Sequence, residues 1–210
     1  MDSNLDALAQ RALGLLDGAR TGHRVILGIA GSPGAGKTTL ARNLAARIND
    51  IEPGIAEHLP MDGFHLANAT LDRLGIHDRK GAIDTFDGHG FVALLRRLIV
   101  ECDHAVYAPS FDRAVDEGVA GAIVVEPSVR IIIAEGNYLL VDEQPWSEIP
   151  SIAAEVWFCS TAADERMRRL VDRHERHGRS PADARLWAET VDAANALLVE
   201  RSAARAALRV

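Results

Sequence analysis

Short β-branched apolar runs alternate along this chain with longer stretches whose apolar residues recur every three or four positions. Val25 to Ala30 is long enough for one buried strand and too short for a helix. Further strands are predicted at Ile55 to Met61, Ala105 to Ala108, Arg130 to Ala134 and Glu155 to Cys159, with Val119 to Val125 as a small hairpin or edge element. Helical periodicity marks Asp2 to Gly18, where Leu5, Leu8, Ala9, Ala12, Leu15 and Leu16 share a face, with Ser3 as N-cap and Gly18 as stop. It returns from Thr39 to about Asn49 and from Phe91 to Cys102. A further helix runs from Ala162, capped by Ser160-Thr161, to Gly178-Arg179. The last starts at Ser180-Pro181 and reaches about Ala207. The segment from Leu66 to His89 is polar, irregular and long for a connection, which suits a functional or mobile loop. Strands alternating with helices predict an α/β fold with a parallel sheet covered on both faces.

Strand Val25 to Ala30 breaks into Gly31-Ser32-Pro33-Gly34-Ala35-Gly36-Lys37-Thr38, which fits G-x-x-x-x-G-K-[ST] at every position. Glycines let the backbone curl so that successive N–H groups face phosphate oxygens, and the next helix adds the positive end of its dipole. Gly31 through Thr39 are therefore the candidate nucleotide-binding residues. Lys37 is placed to reach the β- and γ-phosphates, and the Thr38 hydroxyl to ligate Mg²⁺.

Composition narrows the class. With 210 residues, 48% hydrophobic and 25% charged, the chain suits one domain or one domain with a lid. A net charge of −7 argues against a nucleic-acid partner. Two cysteines, Cys102 and Cys159, are too few for a disulfide framework, so a reduced cytoplasmic setting is expected. The acidic first residues do not resemble a signal peptide, and no apolar run approaches the ~18 residues of a membrane span. A second copy is a possible partner, through the N-terminal helix or the hairpin near Val119. Only Lys37 and Lys80 are lysines, and neither follows an asparagine, so the Asn-Lys-x-Asp guanine signature of GTPases is excluded.

In open α/β sheets ligands sit beyond the carboxyl ends of the strands. Asp62 follows the second strand, where a carboxylate can accept a proton from a substrate hydroxyl, although an Asp capping a turn explains it as well. Glu135 follows Ile131-Ile132-Ile133-Ala134, where phosphate-loop enzymes place the acid that holds Mg²⁺ or its waters. Pro109 to Arg113 is either a third polar cluster or a loop with a surface ion pair. Arg166, Arg168, Arg169, Arg173, Arg176 and Arg179 either neutralise charge on a transferring phosphoryl group or form a solvated face. His174-x-x-His177 lacks the companions of a metal site.

Taken together, GSPGAGKTT, MDGFH, RKGAIDTFD, YAPSFDR, IIIAEGNYLL and RRLVDRHERHGRSP resemble the phosphoribulokinase/uridine kinase family of P-loop kinases, nearest its bacterial nucleoside-kinase-like and fructose-transport-associated branch. The likeness covers about residues 22 to 205. It implies a P-loop NTPase three-layer fold in a single domain, with a five-stranded parallel sheet of order 2-3-1-4-5. An N-terminal helix (1–20), an acceptor-side loop (about 66–90) and an Arg-rich helical lid (about 162–180) complete that domain. ATP is then the donor and Asp62 the catalytic base. Thr38 and Glu135 hold the metal, and Lys37, Arg169 and Arg173 act on the phosphates. Asp62, His65, Arg79, Lys80, Asp87, Arg113 and Tyr138 form the candidate acceptor side. Ile83 replaces a usual proline, and Ala203 and Ala207 stand where relatives often carry an arginine and an aspartate.

The resulting expectation is an ATP- and Mg²⁺-dependent kinase acting on an alcohol group of a small metabolite, first a sugar or sugar alcohol. Uridine/cytidine and pantothenate are the alternatives. A nucleotide-binding regulator or slow ATPase without a small acceptor is the competing class.

Overall fold

The computed structural model describes residues 2–210, with side chains from Asn4 onward, so the side chain of the expected Ser3 cap lies outside what is described. Helix α1 (Asp2–Gly14) precedes strand β1 (Val25–Ala30), helix α2 (Lys37–Ile51) and strand β2 (Ala56–Pro60). Then come α3 (Asn68–Leu74), α4 (Gly88–Val100), β3 (Val106–Asp112), β4 (Glu117–Val125), β5 (Ile131–Gly136) and α5 (Ile149–Ile152). The chain closes with β6 (Glu155–Phe158), α6 (Ala163–Arg176), α7 (Pro181–Trp187), α8 (Ala193–Ser202) and β7 (Leu208–Arg209).

Five strands form one parallel sheet in the order β2-β5-β1-β6-β7. Counted among core strands alone, this is 2-3-1-4-5. The two-residue period of a strand explains both cores. Leu27, Ile29, Ile131, Ile133 and Trp157 point to α1 and α2, where Leu8, Ala12, Leu44 and Ile48 meet them. Ile26, Ala30, Ile132, Ala134, Val156 and Phe158 point the other way, onto Phe91, Leu95 and Leu98 of α4 and Val199 of α8.

Several boundaries differ from the sequence reading. The fifth strand is Leu208–Arg209, beyond a helix that ends at Ser202 rather than near Ala207. Pairing of Trp157 with Leu208 and Phe158 with Arg209 supplies a partner that local propensity cannot see. The strand near Ala105 leaves the main sheet. It extends from Val106 through Asp112, leaving Arg113 in the turn, and pairs antiparallel with β4, Val106 opposite Val125 and Asp112 opposite Glu117. The segment from Leu66 to His89 contains α3 and two 3₁₀ turns, His77–Arg79 and Ile83–Thr85. No described helix is long and apolar enough to cross a membrane.

Arg24, immediately before β1, is 3% exposed. Its guanidinium donates to four carbonyls: Val129 O at 3.0 Å, Leu98 O at 3.0 Å, Glu101 O at 2.6 Å and Glu126 O at 3.1 Å. One side chain thus closes the C-terminal turn of α4 and ties it to the segment entering β5. Arg24→Met would leave these carbonyls without their donor. A loss of about 3 kcal/mol is expected, read as a lower urea midpoint at unchanged slope.

Candidate active site

The segment after β1 turns sharply because Gly34 (φ +77°) and Gly36 (φ +95°) adopt left-handed conformations. Gly34 also lies under α6: a Cβ there would stand 2.9 Å from the Arg166 carbonyl. Gly36 is the N-cap of α2 and offers no side-chain acceptor, so the first amides of that helix are left for an anion. The Lys37 ammonium is buried and donates to Ser32 O at 3.1 Å. Burial pulls its pKa down, against the opposing charges of Glu135 and Asp62. Thr39 is exposed on the first turn of α2, and Pro33 is buried at the bend.

Strand parity places Glu135 on the α2 face of β5, and the Thr38 hydroxyl at the start of α2 donates to its Oε1 at 2.8 Å. The carboxylate is 3% exposed. Burial works against its charge, but His58, Lys37 and Thr38 outweigh that and hold its pKa below the usual carboxylate range. A hydroxyl and a carboxylate oxygen in contact are hard donors that fit Mg²⁺. No group of three or more His, Cys, Asp or Glu able to hold a metal occurs among the described residues.

Asp62 lies in the 3₁₀ turn Met61–Phe64 that follows β2, with its side chain 37% exposed. The β3–β4 hairpin covers this turn so closely that a Cβ on Gly63 would stand 2.3 Å from Pro109 O, and one on Gly118 2.5 Å from Gly63 O. The same hairpin brings Arg113 Nη2 to 3.9 Å from Asp62 Oδ2. His65 donates from Nδ1 to the Asp62 carbonyl at 2.7 Å, which leaves Nε2 as an acceptor. Its ring stands against Phe86 and Phe111, with centroids at 4.1 and 4.6 Å. Burial lowers its pKa, with Asp62 opposing.

The rest of the expected acceptor side is largely occupied by internal contacts. Lys80 donates to Asn68 Oδ1 at 2.6 Å and to Asp116 Oδ2 at 2.8 Å, pinning the hairpin turn to the segment after α3. Arg79 pairs with Asp84 at 2.5 Å, and Asp87 caps α4 by accepting from Gly90 N at 2.8 Å. Tyr138 is a correction. Its ring is wholly buried among Phe86 and Trp146, and its hydroxyl donates to Gly81 O at 2.6 Å, where Asn195 also donates at 3.2 Å. It braces the loop instead of facing an acceptor, and burial raises its pKa.

Helix α6 and the residues just after it divide the six arginines. From α6, Arg169 reaches the phosphate loop, Nη1 to Gly34 O at 3.4 Å, while its Nε is held by Glu165 Oε1 at 2.7 Å. Arg173 turns inward and is half-buried, close enough to Asp192, Arg113 and Asp62 for their charges to act on it. Arg166 donates to Thr161 O at 3.3 Å, beside the phosphate loop. Arg168 and Arg176 are exposed, and Arg179 stacks on Trp187 at 3.8 Å. The Ser180 N-cap accepts from Asp183 N at 3.2 Å, but the following helix does not run straight. A π turn at Ala188–Asp192 interrupts it and brings Asp192 Oδ2 to 2.7 Å from His174 Nε2.

Three contacts escaped the sequence reading. Thr161 does not cap α6, whose N-cap Ala162 makes no side-chain bond; its hydroxyl donates to Ala35 O at 2.9 Å instead. Ser32 donates to Glu200 Oε1 of α8 at 2.5 Å, across 168 residues. His58 lies beside Glu135, with Nε2 3.7 Å from Oε1. Only His58 carried a local signal, its place in the strand alternation leading to Asp62.

Comparison with known proteins agrees with this geometry. No family model matches the chain. A crystal structure described as a "putative fructose transport system kinase" from Silicibacter sp. TM1040 is similar over 98% of each chain, with TM-score 0.89 and 39% identity. A Schizosaccharomyces pombe protein named "putative uridine kinase" is 42% identical over 151 residues, which make up 70% of this chain and 63% of that protein, less than two thirds of its length. A Saccharomyces cerevisiae structure, described as "a putative P-loop containing kinase with a circular permutation", shares the fold at TM-score 0.81 and 20% identity, covering 94% of this chain and 95% of that one.

The backbone approach at Gly63 yields a direct expectation. Overpacking of this size costs roughly 1–3 kcal/mol. In Gly63→Ala, amide exchange along Ser110 to Val119 should be faster by roughly tenfold or more, with the amides of β1 and β5 unchanged.

Proposed function

Because the chain belongs to the uridine kinase/phosphoribulokinase family of P-loop kinases, we propose that it transfers the γ-phosphoryl group of ATP to an alcohol group of a small metabolite. One observation carries the reading: Lys37, the Thr38–Glu135 pair and Asp62 converge at the carboxyl ends of β1, β5 and β2. Lid residue Arg169 reaches the same phosphate loop.

In this mechanism the loop amides and Lys37 hold the β- and γ-phosphates. Thr38 and Glu135 would hold Mg²⁺, which supplies charge neutralisation on the phosphate oxygens. Asp62 takes the proton of the acceptor hydroxyl as its oxygen bonds to the γ-phosphorus and the bond to the β–γ bridging oxygen breaks, releasing ADP. Arg113 keeps the Asp62 carboxylate aimed into the cleft, and Arg169 and Arg173 close over the transferring group and exclude water.

A sugar or sugar alcohol is the first acceptor class, in line with the name carried by the Silicibacter structure; the name of the S. pombe protein keeps pyrimidine nucleosides second, and pantothenate is third. The reading is tested by ADP release from MgATP against pools of ketoses, polyols, pyrimidine nucleosides and pantothenate, with an Asp62→Asn control. One pool should stimulate turnover, and Asp62→Asn should lower it by ~10²–10⁴ with ATP affinity retained. A flat response, with equal basal release in both proteins, would replace this reading with a nucleotide-binding regulator or slow ATPase.

A further inference from the structure

Among the described residues, one buried side-chain nitrogen or oxygen lacks a hydrogen-bond partner: Nε2 of His58. The imidazole is held within the molecule, with its side chain 13% exposed. A buried imidazole nitrogen without a partner carries a desolvation cost, so its persistence asks for a function.

Strand geometry shows where it points. On β2, Ala56 packs with the α2-side core and Leu59 with the opposite one, so the two-residue period puts His58 on the α2 side. His58 stands opposite Ile133 and Pro60 opposite Glu135, which makes His58 and Glu135 diagonal neighbours on one face of the sheet. Nε2 is 3.7 Å from Glu135 Oε1, and that same Oε1 accepts from Thr38 at 2.8 Å. A separation of 3.7 Å is too long for a hydrogen bond and too short to admit a bridging water. A shift of well under 1 Å by either group would make the bond.

We propose that His58 is a positioning residue for the metal-holding carboxylate, its Nε2–H orienting Glu135 once the Thr38 hydroxyl is engaged by the cation. The inference rests on the reading of the site given above. In the structure described here, Thr38 spends its only proton on Glu135, and a hydroxyl that gives its oxygen lone pair to Mg²⁺ is no longer committed to that geometry. Glu135 then needs another donor to stay fixed in a buried site. The Lys37 ammonium is directed to Ser32 O, and Pro60, opposite Glu135 on β2, has no N–H to give. His58 is a neighbour whose Nε2 is unpartnered and in the Nε2–H tautomer can donate, and it acts on the carboxylate without touching the nucleotide. This is the outer hydrogen bond that fixes a ligating carboxylate, and losing such a bond typically costs 10–100-fold in metal affinity.

The test is calorimetric and needs no acceptor. Binding of the non-hydrolysable analogue AMP-PNP is measured in EDTA and across a Mg²⁺ series, for the wild type, His58→Leu, His58→Phe and His58→Gln. In EDTA, all variants should bind within about twofold of the wild type. The Mg²⁺ concentration giving half of the metal-dependent gain should rise roughly tenfold or more in His58→Leu and His58→Phe, and His58→Gln, which keeps a donor, should recover much of it. Wild-type Mg²⁺ dependence in both donor-free variants would overturn the inference while leaving the kinase reading intact. Equal loss of metal-free binding in every variant would assign His58 a purely structural part and also overturn it. A wild type whose analogue binding ignores Mg²⁺ altogether would instead sink the metal-dependent reading of the site on which the inference stands.

Discussion

A buried carboxylate organises this molecule. Glu135 sits in the middle strand pair of a sheet whose other central positions are aliphatic, and an ionised acid there must be compensated. Compensation comes from the first two residues of α2: the Thr38 hydroxyl bonds it, and the Lys37 ammonium acts on it through space. Helix α2 is therefore docked by polar contacts at its N-terminus as well as by Leu44 and Ile48 against the sheet. The phosphate loop inherits its position from that docking, because Gly36 leads directly into Lys37.

Two further layers close around this pair from distant parts of the chain. The hairpin β3–β4 descends on the turn after β2 through backbone contacts at Gly63 and Gly118 and brings Arg113 toward Asp62. Helix α6 approaches the phosphate loop at Gly34, with Thr161 and Arg169 both bonded to loop carbonyls. The His174–Asp192 pair at the π turn joins α6 to the helix behind it. Cleft geometry is thus set by backbone approach on one side and by charged side chains on the other. The side chains are the more adjustable of the two.

Residues expected to greet an acceptor separate into two kinds. Asp62, His65 and Arg113 meet at the cleft, whereas Lys80, Asp87 and Tyr138 are spent on a loop, a helix cap and an aromatic cluster. The second kind bears on the site indirectly: Tyr138 and Asn195 hold Gly81, and Lys80 holds the hairpin turn that carries Arg113. Sequence motifs mark both kinds alike, since a motif records that a residue type is needed at a position and not whether it faces ligand or scaffold.

Whatever depends on near neighbours was legible in the chain itself. Strands β1 and β5 follow from apolar runs, the phosphate loop from its glycines and lysine, and the Ser180 cap from Ser-Pro, because each rests on contacts within a few residues. The place of β3 in a separate antiparallel pair with the next strand, β4, was not legible, since a local apolar pattern does not say which sheet a strand joins. Strand β7 was not legible because its partner, β6, lies far back in the chain. The same holds for Ser32 with Glu200 and for Thr161 with Ala35. His58 falls between these cases. Alternation along β2 placed its side chain on the α2 face, but only the register of β2 against β5 set its ring beside Glu135. Local chemistry determined the elements and the phosphate-binding loop, and the pairing of distant strands decided which charges share a face, because register is a property of two segments and is written in neither alone.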